Sequence, residues 1–393
     1  MRTPKTAVAT LAVVASLATL GFALTTEEFD PARACCDHLY YRSMAFNTFS
    51  VTRPDLDAPP PGNRLVNNYA PDHPWLDLRN GLARQPPYAY RILTPLLARA
   101  LSLVTRLSIS RSFYLLSLLT LLAAAFVLGL AVLYQTGSVV PGVGAVLVFA
   151  ALPTSDRFNL NDYMLTDPMA FFLAALAVLA VCKRKRVFFF VVCLMGVFNK
   201  ETMVPMLVAY PLSEALIERR VRWTSVAAMF GIAVSWYVFR RLLPIPVDTY
   251  SFVREFKGVG YSDTVIVQTL IVFGVLLLPL WRAITSPVAL SLIPFGAAQF
   301  LGGWFIGNVD RGVVQAAPLV IMALFASWPG EGRERILVLL PAGAYLLQEG
   351  LSQAGIPLRL ILPPLFLVLV LNEIALARRW SARSMSGRAV NVA

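Results

Sequence analysis

Apolar residues recur along this chain in long runs separated by short polar stretches. One membrane crossing needs about 20 apolar residues, with a range of about 17–25. Seven runs fit a full crossing: Ala7–Leu24, Ser112–Tyr134, Met164–Cys182, Trp223–Phe239, Asp263–Trp281, Pro287–Ile306 and Pro357–Leu376. Five shorter runs fit spans thinned by their neighbours or helices that enter part way: Val139–Leu152, Val187–Phe198, Met203–Ile217, Val313–Trp328 and Ile336–Gln348. The pattern predicts an all-α polytopic membrane protein with about twelve transmembrane helices.

Composition supports this reading. Of 393 residues, 57% are hydrophobic and 14% charged, where soluble domains carry about 25% charge. The net charge of +12 raises the question of nucleic acid, and the placement of the basic residues answers it. They cluster between apolar runs as "KRKR" (Lys183–Arg186), "ERRVR" (Glu218–Arg222), "GRER" (Gly332–Arg335) and "ARRWSAR" (Ala377–Arg383). That is how cytoplasmic loops look under the positive-inside rule. No basic patch interleaved with aromatics lies outside the apolar runs, so no nucleic-acid partner is expected.

The first run follows Arg2 and Lys5 and resembles a signal peptide in length. No clear small-x-small cleavage site precedes Thr25, so residues 1–24 read as an uncleaved first helix. With the N-terminus inside, residues 25–111 form a long extracytoplasmic loop, 112–376 the helical bundle and 377–393 a basic tail. Both termini are then cytoplasmic in a multi-pass plasma (inner) membrane protein. The stretch "YRILTPLLARALSLVTRL" (Tyr90–Leu107) carries Arg on an outer segment. An amphipathic helix on the membrane surface accommodates it, with Leu and Ile in lipid and Arg among headgroups.

This topology collects most charges outside the basic clusters on one face. The long loop opens with Glu27, Glu28, Asp30 and Asp37, the last beside His38, Tyr40 and Tyr41. A carboxylate at a membrane interface is desolvated and so suited to act as a general base; Asp37 is the best placed, the others reading as solvated caps. The outer cations are Arg91, Lys200 in "NKET" and Arg311 in "NVDRG". Arginine grips phosphate as a fork and lysine as a point charge. Lys200 and Glu201 are adjacent, as are Asp310 and Arg311, and neighbouring helical residues do not face each other. Each cation is therefore expected to find its partner elsewhere, or to serve as a headgroup anchor.

Metal chemistry is weakly signalled. His38 and His73 are the only histidines, too few for a zinc signature. "DLD" (Asp55–Asp57) has carboxylate-pair spacing in a Pro-rich stretch. A divalent cation is compatible with the sequence and not required by it. Cys182 and Cys193 read as packing residues, and the adjacent Cys35 and Cys36 as free thiols or metal ligands.

The order of these segments resembles the GT-C superfold of membrane glycosyltransferases, bacterial enzymes of the cell envelope that use polyprenyl-phosphate-linked sugars. The matching pieces are the first span with its acidic outer loop, "QPPYAYRILTPLLARAL" (Gln85–Leu101), "SDRFNLNDYMLTDPMAFFLAALAVLA", "FNKETMVPMLVAYPL" and "NVDRGVVQAAPLVIMAL". The resemblance covers about Ala7 to Trp328. The usual acidic pair of the first loop is replaced by Asp37 and His38, and no large soluble C-terminal domain follows. The resemblance implies that Asp37 deprotonates an acceptor hydroxyl and that the sugar carbon inverts. Arg91, Lys200 and Arg311 would hold the departing lipid phosphate. Glu201, Asp162, Asp167 and Tyr41 would bind sugar hydroxyls or orient the cations. The alternatives are a transporter or lipid flippase, which places charges at mid-bilayer, and a non-catalytic membrane scaffold.

Overall fold

The computed structural model describes residues 5–25, 41, 91–152, 159–160, 163–242, 261–302, 312–328 and 334–390. Asp37, Asp162 and Arg311 lie outside these residues. The described residues are helical throughout their regular structure: fourteen α-helices and three 3₁₀ segments, with no strand among them. In chain order the helices are α1 (Lys5–Thr25), α2 (Leu93–Thr105), α3 (Ile109–Thr136), α4 (Val139–Ala151), α5 (Asp167–Cys182), α6 (Arg186–Asn199) and α7 (Ala209–Glu218). There follow α8 (Trp223–Leu242), α9 (Tyr261–Phe273), α10 (Pro287–Ser291), α11 (Ile293–Gly302), α12 (Ala317–Leu324), α13 (Glu334–Gln353) and α14 (Leu358–Val390). The 3₁₀ segments are Glu201–Val208, Gly274–Thr285 and Val314–Ala316.

Among the described residues, each of the twelve apolar runs lies mainly on helix. Three stretches are long and apolar enough to cross a membrane by length and composition: Ile109–Thr136, Ile266–Thr285 and Leu360–Ser381. Several other apolar helices are shorter. At about 1.5 Å per residue, the 16 residues of α5 and 14 of α6 reach roughly 24 and 21 Å, less than a hydrocarbon core of about 30 Å. Helix α14 runs without interruption from Leu358 to Val390, through the basic stretch that follows the last apolar run.

Two packed groups build the bundle. In the first, α3 and α5 pack along each other, with α4, α6 and α1 against them. Helices α3 and α4 cross closely because two glycines meet: a Cβ on Gly142 would lie 3.0 Å from the Gly129 carbonyl and 3.2 Å from Leu11 of α1. Leu11 fills the space that the missing side chains leave, and it is fully buried. The second group joins α12, α13 and α14 around the Gly274–Thr285 segment. There the helix breaks at Gly274, whose φ of +46° favours glycine. Pro279 inside the segment lacks the N–H that a continuing helix needs. The break leaves backbone carbonyls without helical donors, and Tyr345 Oη donates to Val272 O at 2.7 Å.

The helix expected over Tyr90–Leu107 forms as α2, residues 93–105. Its buried face is Thr94, Pro95, Ala98 and Arg99, packed on α3, while Leu103 and Val104 are exposed. The chain leaves α2 through Arg106 in the left-handed region, and Ser108 caps α3 by accepting from Arg111 N.

Candidate functional site

Charge sits at two ends of the bundle. At one end α5 closes and α6 opens on Lys183, Arg184, Lys185 and Arg186, and α7 closes on Glu218. Arg184 and Arg222 meet Glu218 there, at 4.0 and 3.1 Å. At the other end α5 begins with Asp167 and α6 finishes with Asn199, so the sequence-distant stretches "TD" and "NKE" are adjacent in space.

That second end holds the predicted site residues that are described. The backbone at Lys200 is extended, with φ −158° and ψ 131°, between α6 and a 3₁₀ turn. This break turns the two neighbouring charges apart. Lys200 pairs with Asp167, which also accepts from Gln315 Nε2 at 2.9 Å. Glu201 pairs with Arg91 in a bidentate fork: Arg91 Nε donates to Oε2 at 3.0 Å and Nη2 to Oε1. Arg91 Nη1 also donates to Tyr41 Oη at 2.9 Å. The expectation that each charge looks past its sequence neighbour therefore holds for Lys200 and Glu201.

A second layer fixes these positions. Asn199 Nδ2 donates to Thr166 O at 2.9 Å, and Thr94 Oγ1 donates to Asn199 Oδ1 at 2.6 Å. Gln299 Nε2 donates to Thr202 O at 2.8 Å. Tyr41 is fully buried in a small apolar cluster with Ala98, Ile109, Phe113, Tyr163, Met164 and Leu165. Arg91 therefore lies between Tyr41, α2 and the break after α6.

Burial disfavours both charges of the Arg91–Glu201 pair, but their mutual attraction outweighs it. For Glu201, the Arg91 charge and hydrogen bonds, helped by Lys200, hold the carboxyl below the usual glutamate range. For Arg91, Glu201 and Tyr41 overcome desolvation and keep the guanidinium firmly charged. The pair is not sealed: the Glu201 side chain is 31% exposed. Three of the five guanidinium N–H groups of Arg91 are used in these bonds, leaving one on each Nη for another acceptor among the described residues.

Of the eight residues assigned to a site from sequence, Tyr41, Arg91, Asp167, Lys200 and Glu201 converge on this end. Asp37, Asp162 and Arg311 lie outside the described residues. Sequence reasoning passed over Thr94, Asn199 and Gln315. Asn199 precedes Lys200 in the "NKET" stretch, and its neutral amide gave no electrostatic signal. Among the described residues no group of three or more His, Cys, Asp or Glu side chains is placed to hold a metal ion. No family model, no curated protein and no solved structure matches the chain.

Proposed function

We propose that this chain is a multi-pass membrane glycosyltransferase of GT-C type, with about twelve spans and both termini in the cytoplasm. It takes a sugar from a polyprenyl-phosphate donor at the extracytoplasmic face. The observation that carries the reading is the convergence of Arg91, Glu201, Lys200 and Asp167 from three distant segments at the end opposite the Lys183–Arg186 and Glu218–Arg222 clusters. Under the positive-inside rule that end faces out.

In this mechanism the acceptor hydroxyl gives its proton to Asp37 as its oxygen bonds to the sugar anomeric carbon. The bond from that carbon to the phosphate oxygen breaks, and its electron pair leaves with the polyprenyl phosphate. Charge grows on the phosphate, so preorganised donors there lower the barrier. The two N–H groups that Arg91 keeps outside its fork are suited to this, and Lys200 and Arg311 are assigned the same role. Glu201 and Asp167 hold Arg91 and Lys200 in position rather than leave them as free cations, and Tyr41 braces Arg91. Asp162 is assigned to sugar hydroxyls. The cations are thus pre-paired, which keeps the site ordered before donor arrives.

The test uses the purified full chain in proteoliposomes with polyprenyl-phosphate carrying a radiolabelled sugar. Label leaving the lipid in an acceptor-dependent way is expected. Asp37→Asn abolishes that transfer and retains donor binding. Full transfer by Asp37→Asn overturns the mechanism. One observation favours a second reading, a transporter or flippase: the helix break at Gly274 lies against the buried Gln348, next to Glu349, and broken helices with buried polar groups recur in transporters. Intact labelled lipid crossing the bilayer, with no cleavage, selects that reading.

A further inference from the structure

The end of the bundle opposite the candidate site carries a cleft of about 730 Å³, within the range of small-ligand sites. Four cations line it: Arg184, Lys185, Arg186 and Arg222. The lining carboxylate is Glu218 alone, so four positive charges against one negative leave a net of three. Glu214, 3.8 Å from Arg222, reduces this to two. Glu218 is already divided among Arg184, Arg220 and Arg222. Lys185 makes no ion pair among the described residues, and Arg186 donates to the neutral Thr224. Like charges this close repel, and an anion between them relieves the repulsion.

Besides Tyr210, the rest of the cleft is apolar. Val187, Phe188 and Val191 line it and are all exposed, Val187 to 72%. Beyond the cleft the exposed surface of α6 continues through Leu194 and Met195. Val187, Val191 and Leu194 fall at i, i+4 and i+7, one stripe of the helix. A concave cationic head that opens onto a greasy stripe matches one chemistry: a phosphate-bearing amphiphile.

We infer that this cleft is a binding site for the headgroup of an anionic phospholipid, whose acyl chain runs along the Val187–Met195 stripe. The inference does not depend on the proposed reaction. A merely basic rim attracts anionic lipid as well, at about 1 kcal/mol per Lys or Arg, so the test must separate a site from a rim. The full chain is prepared in phosphatidylcholine nanodiscs and titrated with phosphatidylglycerol, and retained lipid is counted by native mass spectrometry. One equivalent of phosphatidylglycerol is expected to stay bound under conditions that strip phosphatidylcholine. The double substitution Arg184→Gln with Lys185→Gln weakens this binding roughly thirtyfold. Lys183→Gln with Arg219→Gln removes equal charge at the same end, from residues outside the cleft lining, and leaves binding close to wild type. Equal losses in the two variants overturn the inference in favour of a diffuse basic rim. Equal retention of both lipids by the wild type, which needs no variant, overturns headgroup recognition. Full displacement by inorganic phosphate assigns the cleft to a soluble anion and ends the lipid assignment.

Discussion

Two arginine–carboxylate forks among the described residues have the same chemistry and opposite surroundings. Arg282 is fully buried and donates Nε to Glu373 Oε2 at 2.8 Å and Nη2 to Oε1. Its Nη1 serves two backbone carbonyls, Leu324 O at 2.8 Å and Val338 O at 3.3 Å. Glu373 also accepts from Trp281 Nε1 and Asn372 Nδ2. The fork thus ties four helical segments together: Gly274–Thr285, α12, α13 and α14. Arg91–Glu201 has the same fork, but Arg91 precedes α2, Glu201 begins a 3₁₀ turn, and the carboxylate is partly exposed. The closed fork leaves one Nη2 N–H of Arg282 uncommitted, but full burial keeps any ligand from reaching it. An open one with unused N–H groups has a place for a ligand. The geometry of the ion pair is therefore no guide to function; what surrounds it is.

The largest effect is expected at the closed fork. Arg282→Met leaves Glu373 charged, buried and stripped of its partner. Breaking a buried pair from one side costs about 3–5 kcal/mol, and chemical unfolding in micelles should show a loss of this size. Adding Glu373→Met to the same protein removes the stranded charge and should recover most of the loss. If the double variant is no better than the single one, the fork is not a closed structural pair and the contrast with Arg91–Glu201 fails.

A smaller effect follows at the other end. Asp167→Asn keeps the shape but weakens what holds Lys200 and Gln315, at a cost of about 1–3 kcal/mol. Its transfer activity should fall well beyond what the remaining folded fraction explains. Equal proportional loss of activity and folded protein would assign Asp167 to structure alone, beside Arg282.

The sequence made one of these networks legible and hid the other. The adjacent charges in "NKET" stood between apolar runs, and helix geometry forbade them to face each other, so their outward search for partners could be read directly. Arg282 and Glu373 gave no such signal. Arg282 directly follows the Asp263–Trp281 run, and Glu373 lies inside the Pro357–Leu376 run. Their sequence separation of 91 residues leaves no local pattern. The twelve apolar runs were readable because helical burial is periodic and cumulative. The break at Gly274 was not, since an isolated glycine in an apolar run is compatible with an unbroken helix.

Next in size is Glu201→Gln. The side chain is partly exposed, so a stability loss near 1 kcal/mol is expected. The fork on Arg91 is lost while Tyr41 still holds Nη1. Donor binding and turnover should both weaken, and Arg91→Lys should do the same because a lysine cannot form the fork. Unchanged donor affinity in both variants would detach the Arg91–Glu201 fork from the proposed site.

The smallest effect is the pH dependence of that stability difference. Glu201 has a depressed value in the folded protein, set against burial by Arg91 and Lys200. Its unfolded value is about 4.3. A group whose folded value lies below its unfolded value adds stability that is fully present above the unfolded value. That stability is lost as pH falls through the folded value. Wild type and Glu201→Gln should therefore differ by a constant amount at neutral pH. The difference should begin to shrink once pH drops below about 4.3, and close when the wild-type carboxyl is protonated in the fold. Thermal midpoints of the two proteins, measured together from neutral pH into acid, read this directly. The comparison is between two proteins at each pH, so acid effects on the remaining carboxylates largely cancel. A gap that stays constant through the acid range means the lost stability comes from shape and hydrogen bonding, not from charge. The open fork would then owe its order to Tyr41 and the packing around it, and the carboxylate would be available to a ligand.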